Sequence, residues 1–211
     1  MSTRTDKLLA YHNDPDTKLC YLRRVVGHRE ADELIRGTGW SDGRGCAVGC
    51  TLEAYDHARY PVELGVPEVL AYLEDAIFEG LPKSDANAWP ELFLDAIPVG
   101  ADLSLVWPRF AIWLLSVELA EWTSPESRAV VALYERRIAG DEPTGLEWSS
   151  AASDARDASD ASAARAAWAA SDAWAARDAR AASDARDARA ASYQRQAAKL
   201  LELLADAPVA Q

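Results

Sequence analysis

Alanine stands at every third position from Ala152 to Ala191, and no other feature narrows the possible folds of this chain as much. The next position is Ser, Arg or Trp, and the third is Asp or Ala as far as Ala190. Neither Gly nor Pro falls between Gly145 and Pro208. Alanine is the strongest helix former, so residues 146–211 are expected to be helical. About sixty residues in one helix would reach roughly 90 Å, far beyond a domain diameter. One long Ala-rich helix and a helical hairpin are therefore both open. A period of three turns about 300°, so the alanine row winds around the helix and gives no fixed stripe or heptad seam. What remains is a thin helix on which Trp168 and Trp174 are the large side chains. Such an arm suits binding to a protein partner or self-association. The plainer alternative is a repeat expansion that merely makes a stable helix. An ice-binding surface is disfavoured, since the repeat lacks Thr and is densely charged. Leu200, Leu201, Leu203 and Leu204 at its end are expected to dock.

Residues 1–145 have a different grammar. Prolines preceded by Asp or Ser mark helix starts, because Pro is pre-organised for the first turn and the preceding side chain can cap it. Asp14-Pro15, Pro67, Pro90, Pro108 and Ser124-Pro125 each open a run of apolar residues near helical spacing, and Gly37, Gly80 and Gly140 end three of them. No segment alternates as a strand should. The expectation is an all-α protein: a compact multi-helix domain over 1–145, then the Ala-rich tail over 146–211.

Charge excludes some partners. Acidic residues outnumber basic ones 34 to 22, for a net charge of −12. Nucleic acid and anionic membrane both call for a basic surface, so neither is expected. The run from Phe110 to Ala120 is too short to span a bilayer, and residues 1–14 contain no apolar signal core. Three cysteines make no disulfide framework, which points to a reducing cytoplasm. The acidic residues Glu74, Asp75, Glu79, Glu91 and Asp95 read as solvated helix faces, with acid–base work as the alternative.

The least ordinary stretch is Gly37–Tyr60, GTGWSDGRGCAVGCTLEAYDHARY. Its glycines surround Trp40, Asp42 and Arg44, a loop that can approach a ligand or simply turn the chain. With Tyr60, these are the candidate ligand-binding residues. If 46–60 formed one helix, Cys46, Cys50, Glu53, His57 and Tyr60 would lie within about 40° of one direction. That arrangement suggests a metal, zinc above all. Cys46 and His57 would still be about 16 Å apart along the axis, too far for one ion. A complete site must recruit another segment, where His28 and Asp32 are spaced four apart; His28, Cys46, Cys50 and one of Asp32 or His57 would make a sensible set. Two other readings remain open: small buried thiols with hydrogen-bonded histidines, and a reactive Cys–His pair.

The blocks GRGCAVGCT, LEAYDHARYPVELGVP, LAYLEDAIFEGLP and WPELFLDAIPVGADLS, with the Ala-Trp-Ala tail, resemble a family of uncharacterised bacterial and phage proteins, some described as immunity proteins. The resemblance covers about residues 18–120. It points to the GCAVGC block, His28, Asp32, His57, Tyr60 and Glu63, and implies a histidine where this chain has Glu53. It implies no reaction. The leading expectation is non-enzymatic binding in bacterial or phage conflict, neutralising a toxin or defence component. The alternatives are a small metalloprotein or cysteine enzyme at Cys46, Cys50 and His57, and a sponge for a small nucleotide-like ligand.

Overall fold

Proline and its capping neighbour start α1, Pro15–Glu30: the Asp14 carboxylate accepts the backbone N–H groups of Asp16 and Thr17, both at 3.1 Å. In the computed structural model, residues 7–120, 124–156 and 178–209 are described. A two-residue hairpin follows α1, β1 (Trp40–Ser41) against β2 (Arg44–Gly45), antiparallel. Asp42 and Gly43 make its turn with positive φ, 52° and 78°. Asp-Gly is the pairing such tight turns favour. Then come α2 (Ala47–Leu52), α3 (Arg59–Leu64), α4 (Glu68–Gly80), α5 (Lys83–Ala96) and α6 (Val106–Trp113). After these stand α7 (Pro125–Ile138), α8 over residues 145–156, and α9 (Asp178–Ala205). Among the described residues the fold is all-α apart from the hairpin and two isolated bridges, Leu34 with Gly45 and Ala101 with Val209. Among the described residues no helix is long and apolar enough to cross a membrane.

Two expected helix starts differ. Pro90 lies inside α5, which begins after Pro82. Burial of Trp89, Pro90, Phe93 and Leu94 holds this helix through the lost hydrogen bond. Pro108 falls in the first turn of α6, where its missing N–H costs nothing. Ser124 caps α7 as expected, its hydroxyl accepting the Ser127 N–H at 3.2 Å.

Two compact units divide the chain: Met1–Trp107 with Ala190–Gln211, and Pro108–Arg189. In the first unit, α1 packs on α2 and α5, and α4 on α2 and α5. Its core includes Tyr60, Leu64, Leu70, Ile77, Phe78, Trp89, Phe93 and Ile97. The end of α9 completes it. Leu200 and Leu204 are fully buried, and Pro208 O accepts the Asp102 N–H at 2.8 Å. At Gly80 the ring of Tyr193 occupies the space of a side chain, 2.2 Å from where a Cβ would stand.

In the second unit, Thr144 and Glu147 form a reciprocal cap at the start of α8. Arg136 bridges Asp141 at 2.6 Å and Glu147 at 2.5 Å, and Tyr134 packs on Trp148 at 4.7 Å. Leu114–Glu118 widens into a π-helical turn, with Leu119 N–H on Leu114 O at 2.8 Å. Trp168 and Trp174 lie outside the described residues, as does the middle of the tail, where a single helix and a hairpin would differ.

Candidate functional site

The GCAVGC block is built on close backbone approach. A Cβ on Gly49 would stand 1.9 Å from the carbonyl oxygen of Gly39, and one on Gly45 2.3 Å from the same atom. The Cys46 N–H reaches Thr38 O at 2.8 Å, and Gly45 bonds to both Glu33 and Ile35. These contacts seat α2 under the hairpin and bury both thiols.

Residues 46–60 are not one helix. Glu53 adopts left-handed geometry, φ 52°, and ends α2; the next helix starts at Arg59. Pro61 supplies the reason. In a continuous helix its ring would clash with the carbonyl of His57, whereas in the first turn of α3 it fits. Asp56 assists by accepting the Ala58 N–H at 3.1 Å.

The shared stripe therefore breaks up, and the four expected metal ligands part company. His28 Nδ1 lies 2.6 Å from Glu33, its Nε2 3.8 Å from Glu53, and its ring stands edge-on to Trp40. Cys50 donates to Gly45 O at 3.4 Å. Cys46 is buried near Asp75, which helps to hold its thiol protonated. His57 Nε2 is 3.4 Å from Asp75, without hydrogen-bond alignment, and its ring stacks on Tyr72 at 4.1 Å. Asp32, the other recruit, is exposed in left-handed geometry, φ 54°. Among the described residues no three His, Cys, Asp or Glu side chains converge as a metal site. The residues do not fit zinc.

What α2, α3 and α4 do build is a buried polar network. Tyr60 donates to Glu74 at 2.6 Å, and both are wholly buried. Tyr55 donates to Asp75 at 3.0 Å. Thr51 Oγ1, His57 Nε2, Glu74 Oε1 and Asp75 Oδ1 are buried without hydrogen-bond partners among the described residues. Burial pushes the Glu74 carboxyl up to about 8, the charge of Asp75 adding to it and the Tyr60 hydroxyl opposing it. Burial likewise raises the Tyr60 hydroxyl far above its ordinary range. It raises the Cys46 thiol as well, with Asp75 contributing, and pushes Cys50 up to about 12. Both cysteines are therefore neutral thiols at physiological pH, the reverse of an activated nucleophile. Glu63 stands apart, receiving Tyr21 at 2.6 Å and Arg59 at 2.5 Å.

Glu74 and Asp75 overturn their reading as a solvated face: Glu74 is fully buried and Asp75 mostly so. A signal was present. Glu74 lies four residues after Leu70 and three before Ile77, on the apolar side of α4.

The expected ligand loop also separates. Tyr60 is in the core, Trp40 turns to His28, and Asp42 is in the exposed hairpin turn. Arg44 alone lines a cavity, of about 290 Å³, whose other walls include Asp32, Arg36, Lys83 and Asn87. No family model, curated protein or solved structure matches this chain.

Proposed function

We propose that this protein acts by binding, not by turnover, and that its partner is a basic protein. The observation that carries the first part is the state of the GCAVGC block. Its thiols are buried and neutral, and its histidine and tyrosine neighbours are engaged with one another and with two buried carboxylates. A nucleophile needs exposure and a lowered pKa, and this block has neither. The surplus of acid supports the second part. Residues 1–150 contain 25 acidic and 14 basic residues, net −11. Such a surface steers association with a basic partner. The resemblance in sequence suggests the setting, conflict between bacteria or with phage, and the three free thiols suit a cytoplasm.

Thiol labelling tests the first part. In the folded protein an alkylating reagent at pH 8 is expected to modify exposed Cys20 quickly and to leave Cys46 and Cys50 intact until urea is added, read by mass spectrometry. Labelling of Cys46 as fast as Cys20 would return the cysteine-enzyme reading. Salt tests the second. A basic protein captured by the full chain and then purified should bind at least about tenfold more weakly at 300 mM than at 50 mM salt. Partners of no particular charge, or affinity indifferent to salt, would refute it.

A further inference from the structure

Between residues 7 and 107 the chain has nine lysines and arginines. Five of them are ion-paired: Lys7, Lys18, Arg24, Arg29 and Arg59. Among the described residues the other four have no carboxylate within ion-pair distance, and three of those, Arg36, Arg44 and Lys83, line the same 290 Å³ cavity. On so acidic a chain, three unpaired cations around a single space repel one another with nothing of opposite charge between them but Asp32. Three different segments bring them there. Arg36 follows α1 and is held by donating to Leu81 O at 2.7 Å. Arg44 comes from β2, and Lys83 from the first turn of α5, where the helix dipole is also positive. The floor includes the buried ring of Phe78, and Asn87 contributes an amide.

We propose that this cavity binds a phosphorylated small molecule that also carries a hydroxyl or amino group. Two arginines and a lysine match the charge and oxygen geometry of a phosphomonoester. Asp32 disfavours a bare anion but accepts a hydrogen bond from a hydroxyl or amine, so it selects for the organic part of the ligand. The volume lies at the lower edge of small-ligand sites, suited to a sugar phosphate or mononucleotide. This proposal is independent of the basic partner and stands if none is found.

Calorimetry on the full chain at 50 mM salt tests it with four probes: ribose 5-phosphate, adenosine 5′-monophosphate, inorganic phosphate and adenosine. At least one of the two phosphomonoesters is expected to saturate a single site with a Kd below about 1 mM. Inorganic phosphate should bind more weakly, and adenosine not measurably. Arg36→Gln, Arg44→Gln and Lys83→Gln change exposed side chains and should each weaken binding about tenfold. Arg23→Gln, which removes an exposed cation outside the cavity lining, should not. Absence of saturable binding by both phosphomonoesters would overturn the proposal. So would binding that survives all three cavity substitutions, or equal affinity for inorganic phosphate.

Discussion

Gly49→Ala is expected to destabilise the first unit by roughly 3 kcal/mol, a large share of a typical domain's margin. The added Cβ would stand 1.9 Å from Gly39 O and 3.0 Å from Gly39 C. Both are backbone atoms, so no flexible side chain can swing away, and either α2 or the hairpin strand must shift. That shift would also disturb Gly45, whose own approach to Gly39 O is nearly as close. Gly27→Ala is the control. Gly27 lies within α1, and a Cβ there meets nothing within 4 Å. Replacing glycine by alanine inside a helix stabilises by about 0.5–1 kcal/mol. Urea midpoints of the two variants should therefore move in opposite directions. A Gly49→Ala midpoint equal to the parent's would show that the close approach does not hold α2 in place.

Glu74→Gln is expected to make the protein more stable than the parent at pH 8.5 and about equal to it at pH 5. Unfolded, Glu74 releases its proton near its ordinary value of 4.5; folded, it holds the proton to about 8. Between those values the folded state binds a proton that the unfolded state has lost, so raising the pH favours unfolding. The glutamate is thus tolerated at low pH and increasingly costly as pH rises from about 4.5 to about 8, by about 5 kcal/mol in all. Glutamine keeps an oxygen to accept the Tyr60 hydroxyl and never ionises. The difference between parent and variant, followed by urea unfolding across pH 5–9, removes contributions from groups common to both. Parallel pH profiles would mean that Glu74 ionises in the core at its ordinary pKa.

Local chemistry is legible where one residue type decides the outcome. The starts of α1 and α7 follow from a capping side chain before proline, and Gly80 closes α4. The leucines ending α9 dock as their clustering indicates. The Asp42-Gly43 turn was legible too, as the commonest signal for a tight hairpin, although the two-residue strands beside it show no alternation. The candidate site was legible only in pieces. Cys46, His57 and Tyr60 stand out by type, but the helix assumed to align them ends at Glu53. Glu74 and Asp75 pass for surface residues unless their place on the apolar side of α4 is weighed above their charge.

By itself, then, the sequence determined the helical class, the starts of α1, α4 and α7 and the acidic character, because caps, prolines and alanine content act within a turn of helix. Tertiary structure alone decided the rest. It buried Glu74 beside Tyr60 and placed the end of α9 in the first unit. It also brought Arg36, Arg44 and Lys83 from three segments to one cavity. Burial and convergence depend on residues distant in the chain, and the spacing of neighbours does not encode them.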